Sequence, residues 1–194
     1  VPLVADMSSM ILSQPIDVTR FAVIYAGTQK NLGPAGMAVV VVRRDLLGQA
    51  RPETPTVVDW TQMAGADSMV NTPPTFGIYL LGKILAWVER QGGTEGIGRI
   101  NREKAEALYG FIDGHDFYSN PVAPNARSIM NVPFLLAKPE LDKQFVAEAT
   151  AAGLTNLAGH RSVGGMRASI YNAMPREGVD ALLQFMDDFA KQNR

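Results

Sequence analysis

The chain has 194 residues, 46% hydrophobic and 19% charged, the composition of an ordinary globular protein with room for one large domain or one domain and part of another. A net charge of -1 gives no bulk attraction for nucleic acid or an anionic membrane, and the absence of cysteine excludes a disulfide framework and a thiolate metal site. No apolar run approaches the roughly 18 residues that a bilayer span needs, and no basic segment followed by an apolar one marks a signal peptide, so a cytoplasmic location is expected.

The opening VPLVADMSS has no initiator methionine and already reads as a strand, Pro2 to Ala5, ending at Asp6, Ser8 and Ser9. An N-terminal part is therefore expected to be missing. Phe21 to Ala26 and Ala38 to Val42 are two further apolar runs, the second nearly all valine. Continuous β-branched runs without alternation predict strands buried on both faces of a mostly parallel sheet. The segment Arg51 to Asn71 is rich in Pro, Thr, Asp and Gly and is expected to be irregular. Pro73-Pro74 then opens a predicted helix over Thr75–Arg90, with Ile78, Leu81, Leu85 and Val88 at helical spacing, stopped by Gln91-Gly92-Gly93.

Thr94 is a candidate cap for a second helix to Ile112. Beyond it, strands are predicted over Phe117–Val122, Ser128–Leu136, Leu154–Leu157 and Met166–Tyr171. Helices are predicted over Pro139–Ala152 and Pro175–Ala190. The division is placed at residues 1–93, part of a larger sheet domain, and 94–194, a linking helix with a small α/β domain. The fold class is α/β.

Lys30 raises the first chemical question. It follows a strand directly, in the glycine-rich turn AGTQKNLGPAG. Two readings stand: a solvated loop lysine, or an amine nucleophile at a strand end, where α/β sheets bind ligands. Asp6 ends another apolar strand 24 residues earlier, a separation that fits one excursion plus one strand. A carboxylate opposite a Schiff-base lysine holds a pyridinium nitrogen protonated; the alternative is an Asx turn, which Ser8 and Ser9 also suit. Asn71, Thr72 and Thr75 stand at a helix start, as phosphate ligands or as simple caps. His160, Arg161 and Arg167 flank Gly164-Gly165, either as anion ligands or as a solvated turn. His115 has no partner pattern, and neither histidine has metal-ligand spacing, so no metal is expected.

Four stretches taken together, IYAGTQKNLGPAG, NTPPTF, RSIMNVPF and GHRSVGGMRASIYNAMP, resemble the phosphoserine aminotransferase branch of the class V aminotransferase family. The resemblance runs in order from Val4 to about Phe189. It implies a type I pyridoxal-phosphate-dependent transferase fold, made here of the C-terminal part of the large cofactor-binding domain and the small C-terminal domain. It implies pyridoxal 5'-phosphate as cofactor. Lys30 matches the Schiff-base and proton-shuttling lysine, Asp6 the partner of the pyridine nitrogen, and Gln29 a ligand of the cofactor phosphate. Asn71 and Thr72 match residues that reach the cofactor phosphate of the neighbouring subunit in a homodimer. His160 and Arg161 match ligands of the substrate phosphate, and Arg167 matches the clamp on the α-carboxylate.

The implied reaction transfers an amino group between glutamate and 3-phosphohydroxypyruvate, giving phosphoserine and 2-oxoglutarate for serine biosynthesis. In bacteria a related four-carbon phospho-substrate serves pyridoxine biosynthesis. The family's N-terminal portion carries an aromatic that stacks on the cofactor, a threonine near the ring hydroxyl and a further substrate arginine. The polypeptide alone is therefore expected to bind cofactor weakly or not at all and to be inactive. Two alternatives remain on the sequence: another class V enzyme such as an alanine–glyoxylate type, which the pair His160-Arg161 disfavours, and a non-catalytic truncated chain.

Overall fold

The computed structural model describes residues 1–159 and 164–193. His160 and Arg161 lie outside the described residues. The chain is mixed α/β and divides into two compact units, Val1–Thr94 and Glu95–Arg194.

The first unit is built on a three-stranded sheet, β1 (Val4–Asp6), β2 (Val23–Gly27) and β3 (Ala38–Val42), in that order. β1 and β2 are parallel, with Asp6 opposite Tyr25, and β3 returns antiparallel to β2. The sheet is thus only half parallel, against the sequence expectation. The cause is chain length: residues 28–37 are too few for the crossover of a dozen or more residues that a parallel return requires. β2 is the buried strand, with Val23, Ile24 and Ala26 all inside. β3 departs from the expectation of burial on both faces, because Val40 and Val41 are 43% and 48% exposed. Both are only about half covered within the first unit, so the β-branched run overstates their burial.

A short helix α1 (Trp60–Gly65) interrupts the segment expected to be irregular. Asp59 starts it, its Oδ1 accepting from the Thr61 N–H at 2.9 Å. α2 (Thr75–Arg90) has the limits that periodicity and Pro73-Pro74 predict. It supports the turn after β2: Gly33 faces Ile84, and Gly77 faces the Met37 thioether so closely that a Cβ there would stand 3.1 Å from Cε.

The second unit contains most of α3 (Gly93–Asp113), then β4 (Tyr118–Ser119), β5 (Asn131–Leu136), α4 (Asp142–Ala151), β6 (Met166–Ser169) and α5 (Arg176–Asn193). α3 begins at Gly93, one residue before the predicted cap. Its sheet is antiparallel, β4-β5-β6. Leu154–Leu157 does not form the predicted strand; the neighbouring Ala158 makes a single bridge to Met166. β5 alternates cleanly, Val132, Phe134 and Leu136 pointing inward. They join Leu108 and Ile112 of α3, Phe145 of α4 and Leu182, Met186 and Phe189 of α5 in one core. The aromatics meet edge to face, as Phe145 and Phe189 do at 5.0 Å and 76°.

Candidate active site

In the first unit the two parallel strands end side by side. β1 ends at Asp6, and β2 runs on through Gly27 into the turn carrying Gln29 and Lys30. Thr28 is fully buried and organises that turn. Its carbonyl accepts from Leu32 N at 3.1 Å and Gly33 N at 2.8 Å, and its hydroxyl points between the carbonyls of Pro34 (2.5 Å) and Met37 (3.3 Å). The Asn31 amide donates to the Ile11 carbonyl at 3.1 Å, tying the turn to the segment after β1. Gly36, at φ 107°, takes a backbone conformation that side chains rarely adopt. With its neighbours fixed inward, Lys30 projects to the surface, and so does Asp6.

Asp6 is the better-held partner. Its Oδ1 accepts from the Ser8 hydroxyl at 2.6 Å and from the Ser8 N–H at 2.9 Å. Those Ser8 hydrogen bonds hold its carboxyl below the usual carboxylate range, with smaller contributions from Tyr25 and from the positive charge of Lys30. The side chain of Gln29 folds back over Gly27, where a Cβ would stand 2.5 Å from its Oε1. Only glycine lets the amide lie there.

The other predicted residues are placed as follows. Asn71 and Thr72 are exposed, immediately before α2; Asn71 Nδ2 donates to the Thr72 carbonyl at 3.2 Å, and neither side chain caps the helix. In the second unit Arg167 stands in β6 opposite Pro133. Its Nε is buried without a hydrogen-bond partner among the described residues. His115 stacks on Phe111 and its Nδ1 accepts from the Phe117 N–H, a structural role.

Sequence reasoning treated Ser8 only as turn chemistry and passed over Tyr25. The signal for Ser8 was the Asp-x-Ser spacing itself, since a side chain two residues on can close an Asx turn. A cavity of about 360 Å³ in the first unit, lined by Val4, Ala22, Val23, Leu46, Val58 and Trp60 among others, lies at the opposite ends of β1 and β2. Its one acid, Asp59, caps α1, so it offers no chemistry to rival the lysine turn.

A lysine and a carboxylate at adjacent strand ends of an α/β sheet fit a transferase that acts through a bound carbonyl group. The family model described as Aminotransferase class-V matches residues 1–182, and the chain belongs to that family. A phosphoserine aminotransferase of Acinetobacter baumannii is 59% identical over 192 residues, which are 99% of this chain and 54% of that protein. A solved phosphoserine aminotransferase from Bacillus circulans subsp. alkalophilus superposes with a TM-score of 0.96 at 48% identity, over 100% of this chain and 54% of that one. Another, the PLP-bound enzyme from Trichomonas vaginalis, does so with a TM-score of 0.91 at 42% identity, over 96% and 53%. The fold is that of these aminotransferases. The chain spans about half the length of the curated relatives it matches.

Proposed function

We propose that the protein is a pyridoxal-phosphate-dependent transaminase that exchanges an amino group between glutamate and 3-phosphohydroxypyruvate, giving phosphoserine and 2-oxoglutarate. The observation that carries this reading is the placement of Asp6 at the end of β1 and of Lys30 in the turn that follows the parallel neighbour β2. The donor set suits the cofactor. A primary amine answers an aldehyde, a carboxylate answers a ring N–H, and the amide of Gln29 over Gly27 answers a phosphate. When bound, the cofactor supplies an electron sink for the carbanion at the substrate α-carbon.

The chain's own residues do the rest. Lys30 would hold the cofactor through its amine and would take up and return the proton at the substrate α-carbon. Asp6 keeps a negative charge against the ring nitrogen. Arg167 receives the α-carboxylate through paired hydrogen bonds, and its buried, unpartnered Nε supports this role. His160 and Arg161 take the substrate phosphate. A second copy of the chain is part of the reading, with Asn71 and Thr72 serving the partner's cofactor phosphate. The apolar residues that follow them, Phe76 at 71% exposure with Ile78 and Tyr79, support a covered surface there. The division into residues 1–93 and 94–194 belongs to the same reading, the first part holding cofactor and the second bringing substrate ligands. Among the described residues no helix is long and apolar enough to cross a membrane, and a cytoplasmic enzyme serving serine and pyridoxine synthesis is proposed.

Borohydride reduction of the native protein with pyridoxal phosphate, followed by peptide mapping, tests the reading. Modification at Lys30, with amino transfer from phosphoserine and not from alanine, is the expected result. Transfer from alanine instead would give the site to an alanine–glyoxylate type of reaction.

A further inference from the structure

Asp6 is not merely exposed beside Lys30; it is held from one side by a single residue. Ser8 gives Asp6 Oδ1 both of its donors, the hydroxyl at 2.6 Å and the backbone N–H at 2.9 Å. The same hydroxyl accepts from the Gly27 N–H at 3.0 Å. Gly27 is the last residue of β2, three positions before Lys30. A serine hydroxyl has one proton. Because the Gly27 N–H occupies a lone pair of Oγ, the proton is directed to Asp6, and the chain Gly27 N–H, Ser8 O–H, Asp6 carboxylate is polarised in one direction. A second strap joins the same two strands, the Met7 N–H donating to the Tyr25 carbonyl at 2.8 Å.

We propose that Ser8 is a positioning residue: anchored by the Gly27 N–H, it fixes the Asp6 carboxylate relative to the Lys30 turn as the counter-charge for a cationic ring nitrogen. The role of Asp6 toward that ring rests on the proposed function; the Ser8 network does not. Loss of the hydroxyl removes the shorter of the two donors and the link to Gly27 together. Asp6 then binds its own proton more readily. The other groups that face Asp6, the Tyr25 hydroxyl on β2 and the Lys30 ammonium on the turn, remain and keep part of the effect.

The test uses the native protein and two readouts. Without cofactor, carbon NMR of labelled aspartate follows the titration of the Asp6 carboxyl. With pyridoxal phosphate, the acid limb of its binding curve is measured by absorbance. In Ser8→Ala both midpoints are expected to move up by about one pH unit, as for one charge-assisted hydrogen bond. Ser8→Thr retains a hydroxyl and should keep both midpoints near the original. Ser8→Cys, of similar size and a weak donor, should move them as alanine does, and it serves if the alanine variant folds poorly. A uniform loss of affinity at all pH values, with no shift of the acid limb and an unmoved Asp6 titration, would overturn the proposal. If the unaltered protein fails to bind pyridoxal phosphate at Lys30, the proposed function falls, while the Asp6 titration without cofactor still decides the role of Ser8.

Discussion

The two units solve the burial problem differently. The second closes a core on itself: Phe134, Phe145, Met186 and Phe189 are sealed among the described residues. The first buries little beyond β2, Leu32 and Val88, and it carries nearly all the large exposed apolar side chains, from Leu3 and Val4 through Val40 and Val41 to Phe76, Tyr79 and Leu85. Yet the first carries Asp6 and Lys30 at its neighbouring strand ends. Two ordered strand ends and a fixed turn suffice to place such groups, whereas a stable unit needs apolar surface enclosed on all sides.

The largest effect that tests this contrast is chemical. Lys30→Ala is expected to lower turnover of the native protein by on the order of 10³-fold or more, since the proposed function makes the amine the proton carrier. It should leave the circular dichroism spectrum unchanged, because the side chain is exposed. A large loss of structure would mean that the lysine helps to hold the first unit together.

In the second unit the expected effect is on stability. Phe145→Ala removes a fully buried ring that packs on Phe134, Phe185 and Phe189, and should cost about 3–5 kcal/mol in chemical denaturation. Both tryptophans, Trp60 and Trp87, belong to the first unit, so their fluorescence should not follow the change, whereas hydrogen exchange in α4 and α5 should. Matching losses in both signals would break the contrast.

Lys104 gives the next effect. It is fully buried, and its ammonium donates to the carbonyls of Ile170 (3.1 Å), Tyr171 (2.9 Å) and Met174 (2.9 Å). Burial pulls its pKa from 10.5 down to about 8. Between these values the unfolded chain holds the proton more than the folded one, so stability should rise with pH across that window and be flat in this group below it. Lys104→Met strips the three carbonyls of their donor, at a cost of about 1–3 kcal/mol near neutral pH. It should also abolish the rise, as denaturation at a series of pH values will show.

Smaller still, on the proposed function Arg167→Lys is expected to raise KM for both amino partners by about tenfold with less change in kcat, through loss of the proposed paired hydrogen bonds to the α-carboxylate. The smallest effect should come from Val41→Thr. In this chain it should alter the unfolding midpoint by less than about 0.5 kcal/mol, because the position is half exposed. A cost several times larger in a longer or assembled form would show that β3 is covered there.

Much of this was legible before any coordinates. Pro73-Pro74, the helical spacing of apolar residues and Gln91-Gly92-Gly93 marked α2 because capping and periodicity are local. α1 escaped because Pro, Thr, Asp and Gly around it outweighed the one capping residue, Asp59. Leu154–Leu157 read as a strand on apolar content alone, but a strand requires a partner along its length, and only Ala158 finds one, in Met166.

The sequence by itself determined the strand-end positions of Asp6 and Lys30, since both follow apolar runs and stand at turn residues. Tertiary structure alone decided that β3 turns back antiparallel, that its valines are half exposed, and that Ser8 joins Asp6 to the strand preceding the Lys30 turn. Local chemistry can place a residue at the end of a strand. Which strand lies beside it, and which backbone N–H meets its neighbour's hydroxyl, depends on pairing between segments some twenty residues apart, and no local pattern encodes that.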